Sequence, residues 1–172
     1  GSIANDLMDQ IADDMRKPLK RGAPAHLRKT RRETAGFERR NLQRWRKPFN
    51  LIELILEIAA EVGGKFNTEI RPDAIQENDY LFEALTHLHA RALLVSSECI
   101  CLLKGGFADG ALSRWRTLHE INVTALFLIK NEKEIALRYL VSFEFQALRA
   151  ARQMKKYADR SKMEPLTDDE IA

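Results

Sequence analysis

Apolar residues recur along most of the chain at the three-and-four spacing of an amphipathic helix, and no stretch shows the alternation of a strand. Ile3, Leu7, Met8, Ile11 and Met15 predict a short helix over 3–16. Residues 25–46 predict a second helix, with Gly36 its weak point. Pro48 suits the first turn of a third, where a missing N–H costs nothing. That helix runs from Phe49 to Val62 and is apolar around most of its circumference. Gly63-Gly64 is expected to end it, and 65–76, which contains Pro72, to form a loop.

The pattern is strongest over 77–130. Asn78 or Asp79 can cap a long helix reaching Lys104, and Gly105-Gly106 stops it. A second long helix runs from Ala108 to Lys130, and a third from Glu132 to about Ser161. Residues 121–129 carry no charge, which predicts burial on all sides of that half-helix. Apolar residues from Ile135 to Tyr157 likewise suggest burial of the third helix on more than one side. The predicted fold is all-α, a bundle of five or six helices around one long antiparallel hairpin. The expected divisions are a basic helical arm over 1–48, a helical core over 49–162, and a tail over 163–172. In the tail, Thr167 and Glu170 read as the start of a further helix.

The hairpin gives a geometric rule. Both helices rise 1.5 Å per residue, so positions equally far from the diglycine lie at one height. Arg91 and His119 are such a pair, with Glu120 next along. Glu83 and His87 precede Arg91 by two turns and one turn, and Arg116 lies one turn from Glu120. The expectation is a polar layer of Glu83, His87, Arg91, Arg116, His119 and Glu120 inside an otherwise apolar hairpin. It would hold an Arg116–Glu120 i,i+4 pair and fix helix register through hydrogen bonds of Arg91 and His87 across the hairpin, or form a site in which arginines hold an anion and a histidine moves a proton.

Composition changes the picture in one respect. The net charge of +3 hides an asymmetry: 16–47 carries 13 Lys and Arg against Glu33 and Glu38, or +11, which leaves −8 for the remainder. Arg28, Lys29, Arg31, Arg32, Arg39, Arg40 and Arg44, with Trp45 available for stacking, are candidate nucleic-acid contacts. An acidic protein is the other candidate partner. The alternative is an arm that folds back on the acidic body, where Glu53, Glu57 and Glu61 form a stripe. Cys99 and Cys101 diverge on a helix and read as reduced core cysteines of a cytoplasmic protein. Four histidines and two cysteines give no metal spacing, no cofactor motif is present, and no apolar run suffices for a membrane span. The wide apolar arcs leave a homodimer open.

Two resemblances bear on function. The stretch from Ala90-Arg91-Ala92 through Gly105-Gly106-Phe107 to Arg116-Thr117-Leu118-His119-Glu120 resembles a bacterial helical family known as domain of unknown function 5677. Its hallmark is a Gly-aromatic turn followed by Arg-x3-Glu, and it implies a helical fold without an established activity. Arg114 to His119 also resembles the Arg-x4-His spacing of the HEPN superfamily of helical nucleases. There the resemblance implies that Arg114 holds phosphate and His119 handles the 2′-hydroxyl proton, without metal, at a homodimer seam. Trp115 is an unusual neighbour for such an arginine. The function expected from the sequence is a helical binding module of a bacterial defence or stress protein, the alternative being a metal-independent ribonuclease.

Overall fold

The structure, a computed structural model, describes residues 2–162 together with 164 and 167. The expected helix start at Thr167–Glu170 falls largely outside the described residues. The fold is all-α, with six helices and no strand among the described residues: α1 Ser2–Arg44, α2 Arg46–Gln76, α3 Tyr80–Lys104, α4 Ala108–Lys130, α5 Lys133–Lys156 and the short α6 Ala158–Ser161.

The hairpin forms as the rule requires. Asp79 caps α3, its carboxylate accepting from the N–H groups of Leu81 and Phe82 at 3.1 Å. At the other end Gly106 takes φ +82°, a left-handed conformation that only glycine enters without strain. Phe107 then donates to the Leu102 carbonyl and Gly106 to that of Leu103, a paired closure of the last turn. Cys99 Sγ reaches the Ala111 carbonyl at 3.6 Å, and these residues lie six before and six after Gly105.

Helix α3 is the centre of the fold. Ala84, Leu88 and Val95 on one of its faces meet Ile121 and Leu128 of α4 and Ala136 of α5. These positions bury their side chains almost completely, which is the principal hydrophobic stabilisation of the domain. Helix α2 packs antiparallel on another side of α3. Glu53 pairs with Lys104 at 2.6 Å, the Ala59 carbonyl meets His89 Nε2 at 3.2 Å, and Arg71 pairs with Glu83 at 3.0 Å.

Four expectations are corrected. Gly63-Gly64 does not end α2, and 65–76 is helix rather than loop. Gly63 lacks a Cβ for a different reason: a Cβ there would lie 2.1 Å from His89 Nε2. Its absence lets α3 approach, and a helix tolerates one glycine at a cost of about 1 kcal/mol. Pro72 lies near the end of α2, where only one late hydrogen bond is lost to it. Similarly, 3–16 and 25–44 are one helix, continuous through Pro18, Gly22 and Pro24, and Arg46 already belongs to α2. An exposed helix can bend around a proline ring without disturbing any packed neighbour.

The fourth correction concerns burial. The far half of α4 is not enclosed, since Val123, Leu126, Phe127 and Ile129 are all exposed. Helix α5 covers only one side of the hairpin, and its own Phe145 stands in solvent. Trp115 is exposed rather than core, Cys101 is exposed, and Cys99 is half-buried.

Candidate functional site

The basic arm does not fold back on the acidic body. Its described side chains from Leu7 to Ala35 are exposed except at Ala23. Its described attachment to the body lies near its C-terminal end. The Phe37 ring packs against Gly106, where a Cβ would come within 2.6 Å of it. The Asn41 side-chain amide donates to the carbonyls of Leu103 and Lys104 at 2.9 and 3.0 Å. The Leu103 carbonyl also accepts from Gly106 N–H, so Asn41 adds to the cap that Gly106 begins. Trp45 joins α1 to α2 with φ −108° and ψ 28°. Its N–H bonds the Asn41 carbonyl and its carbonyl accepts from Phe49. Pro48 has no N–H to offer at this joint.

At 100° per residue, Arg21, Arg28, Arg32 and Arg39 fall within about 40° of one another on α1. Phe37 and Asn41 lie on the opposite side, roughly 160° to 200° away. The attachment to the α3–α4 corner therefore turns an arginine face outward along about 27 Å of helix. Arg31 and Lys29 flank that face, and Arg40 and Arg44 are turned further round. Trp45 is half-exposed, with the Arg44 guanidinium 5.9 Å from its ring. Arg28, Arg32 and Arg39 are among the contacts expected from the sequence; Arg21 is not, because it falls between the helices expected over 3–16 and 25–46.

The expected polar layer is only partly assembled. Glu83 is half-buried and engages both Arg71, at 3.0 Å, and His87, at 3.1 Å. Arg71 came from the segment expected to be a loop, so its part in this cluster was missed. Arg91, Arg116, His119 and Glu120 are exposed. Among the described residues no ion pair joins Arg116 to Glu120. The layer is therefore not inside the hairpin: with α5 covering only one side, the level of Arg91 and His119 lies open to solvent.

The two residues of the nuclease motif have separate neighbours. Arg114 forms an ion pair with Glu98 of α3, and both are half-buried. His119 stacks on Trp115, ring centroids 6.0 Å apart and 21° from parallel. Five residues of helix separate the two by about 140°. Burial pushes the nearby Cys99 thiol above its usual range; Arg114 opposes this and Glu98 adds to it. No group of three or more metal-ligating side chains occurs among the described residues, and no described helix is long and apolar enough to cross a membrane.

Two apolar clefts of about 570 Å³ each run along the seam of α2 and α3. One, reaching α4, is lined by Ile52, Ile55, Cys99, Leu112 and Trp115. The other is lined by Val62, Phe66, Ile70 and Phe82. Ala59 and His89 line both, so the clefts adjoin where His89 approaches Gly63.

Comparison with known proteins agrees with the hairpin motif. The model of a family of unknown function, DUF5677, matches residues 82–172, a little more than half of the chain. The match covers nearly all of α3 together with α4 and α5, and the arm and α2 lie outside it. No curated protein and no solved structure matches the chain. With its helical hairpin, its diglycine-aromatic corner and Arg116-x3-Glu120, the chain belongs to the DUF5677 family.

Proposed function

We propose that this protein is a helical binding module whose first helix is a cationic arm for nucleic acid. The observation that carries this reading is the outward arginine face of Arg21, Arg28, Arg32 and Arg39, on a helix held to the body at Phe37 and Asn41. A rigid row of guanidinium groups displaces counterions from a phosphate backbone without any pocket. An acidic protein is the weaker fit. Protein interfaces need an apolar centre, and between Lys20 and Gly36 the only large apolar residue is Leu27. Trp45, at the end of the row, can stack on a base.

The test is binding of a fluorescent RNA hairpin and a DNA duplex, followed by anisotropy at rising salt. With about five phosphate contacts, affinity should fall roughly 10²- to 10³-fold between 50 and 200 mM salt. Arg28→Glu/Arg32→Glu/Arg39→Glu should abolish binding and leave helix content unchanged. Binding that ignores salt, or that survives the triple substitution, would refute the proposal.

A further inference from the structure

The arm carries more than its row of four arginines. At 100° per residue, Arg28, Arg32 and Arg39 stand within about 20° of Arg21. Lys29 lies about 80° to one side of that row and Arg31 about 80° to the other. The other positions inside this arc between Arg21 and Arg39 are Pro24, Ala25, Ala35 and Gly36. The carboxylates of Glu33 and Glu38 fall outside it, roughly 120° and 100° from the row. Lys29 meets Glu33 at 3.9 Å, with both side chains well exposed. Helix α1 thus presents a cationic ridge with a cation on each shoulder and only small, uncharged residues between them.

Given that the arm binds nucleic acid, as proposed, we infer that its ligand is double-stranded DNA of B form and that the ridge enters the major groove. Three observations meet here. The first is cross-section. A helix with its side chains is about 10–12 Å across, and the B-form major groove is about 12 Å wide and about 8.5 Å deep. Small residues between the arginines let the α1 backbone sink toward the groove floor, where a bulky or acidic residue would hold it off. A flat phosphate surface makes no such demand. The second is layout: a groove has a floor and two phosphate walls, and the arc has a central row and a cation on either shoulder. The third is clearance. The described side chains from Leu7 to Ala35 are exposed apart from Ala23, and the body is joined on the side away from the row, at Phe37 and Asn41.

Other nucleic acids fit less well. The major groove of duplex RNA is deep and too narrow for side chains to read. Single strands are gripped on successive aromatic rings, and the arc holds none; Trp45 lies outside it. The B-form groove winds once in about 34–36 Å of duplex, so a straight row of about 27 Å cannot follow it from end to end. Arg28 and Arg32 stand symmetrically about the midpoint of the row, about 6 Å apart. They therefore reach the base edges, where one guanidinium can bond both O6 and N7 of a guanine. Arg21 and Arg39, at the ends, bond phosphates.

The experiment is anisotropy with the full chain at about 100 mM salt and three probes of one sequence: a G·C-rich DNA duplex of about twenty base pairs, the same duplex in RNA, and one DNA strand alone. The DNA duplex should bind at least about tenfold more tightly than either, the value of one bidentate base contact. Replacing its guanines by 7-deazaguanine, which lacks N7, should weaken binding about fivefold or more. Replacing them by hypoxanthine, which lacks only the minor-groove amino group, should leave it unchanged. Arg28→Lys/Arg32→Lys keeps the charge and loses the fork, so it should erase the effect of N7 and preserve the salt dependence. Equal affinity for the three probes, a preference for RNA or the single strand, or a duplex indifferent to N7 would overturn the inference and leave the cationic arm standing. An effect of N7 that survives the double variant would overturn it too. Failure of all three probes to bind would remove the nucleic-acid reading and the inference together.

Discussion

The imidazole of His89 occupies the space where residue 63 would carry a Cβ: a methyl there would lie 2.1 Å from Nε2 and 2.6 Å from Cδ2. Gly63 and His89 thus set how closely α2 and α3 approach, and Nε2 meets the Ala59 carbonyl one turn earlier. Neighbouring Gly64 meets nothing within 4 Å. The two adjacent glycines should therefore respond oppositely to alanine. Gly64→Ala should stabilise by about 0.5–1 kcal/mol through helix propensity. Gly63→Ala should destabilise by about 1–3 kcal/mol as the helices are forced apart. Urea denaturation of both variants measures the difference.

Asn41 closes the end of α3 from a different helix. Asn41→Ala leaves the Leu103 and Lys104 carbonyls without those donors and loosens the arm. The expected cost is about 1–2 kcal/mol. Hydrogen exchange should quicken at the C-terminal end of α3 and over 37–44, with the Leu88–Val95 region unaffected. Uniform quickening would show that the arm is part of the core.

Arg114 serves as the α4 partner of Glu98. Arg114→Ala should therefore lower the denaturation midpoint, since it strands a half-buried carboxylate. His119→Ala, at an exposed position, should change it little. RNA incubated with EDTA and either the wild type or His119→Ala should remain intact on a denaturing gel. Cleavage by the wild type that His119→Ala abolishes would restore the ribonuclease reading.

Stability should fall on the alkaline side. Burial raises the Tyr139 hydroxyl above its usual range, with Arg91 opposing, and raises the Cys99 thiol likewise. Each group binds its proton more tightly in the folded chain than in the unfolded one. Their contribution is complete below the unfolded-state values and is lost as pH rises through the folded-state values. Between about pH 8 and pH 10.5 the urea midpoint should drop, and Tyr139→Phe/Cys99→Ser should reduce that drop.

The hairpin was legible because every signal for it is local. Asp79 caps its own helix, Gly106 sits where a left-handed residue is required, and equal rise per residue brings Cys99 to Ala111. The same diglycine signal misled at 63–64, where the missing Cβ answers to His89, twenty-six residues later. Nothing local to Gly63 distinguishes the two cases. The polar layer was misplaced for a related reason. The height rule predicts level but not cover, and cover depends on α5 lying on one side only. The helices expected over 3–16 and 25–46 leave out 17–24, which holds Pro18 and Pro24, and that division hides the row Arg21, Arg28, Arg32 and Arg39. The meeting of Phe37 with Gly106, sixty-nine positions apart, had no signature in the sequence.

The joint at Trp45 gives α1 a mechanical advantage. Phe37 is about 12 Å of helix from the pivot and Leu7 about 57 Å. A slip of about 1 Å where the ring meets Gly106 becomes about 5 Å of travel at the free tip. One ring contact and two amide hydrogen bonds thus act as the brake on a long lever. Whatever eases or tightens that brake sets the volume of solution the tip can sweep.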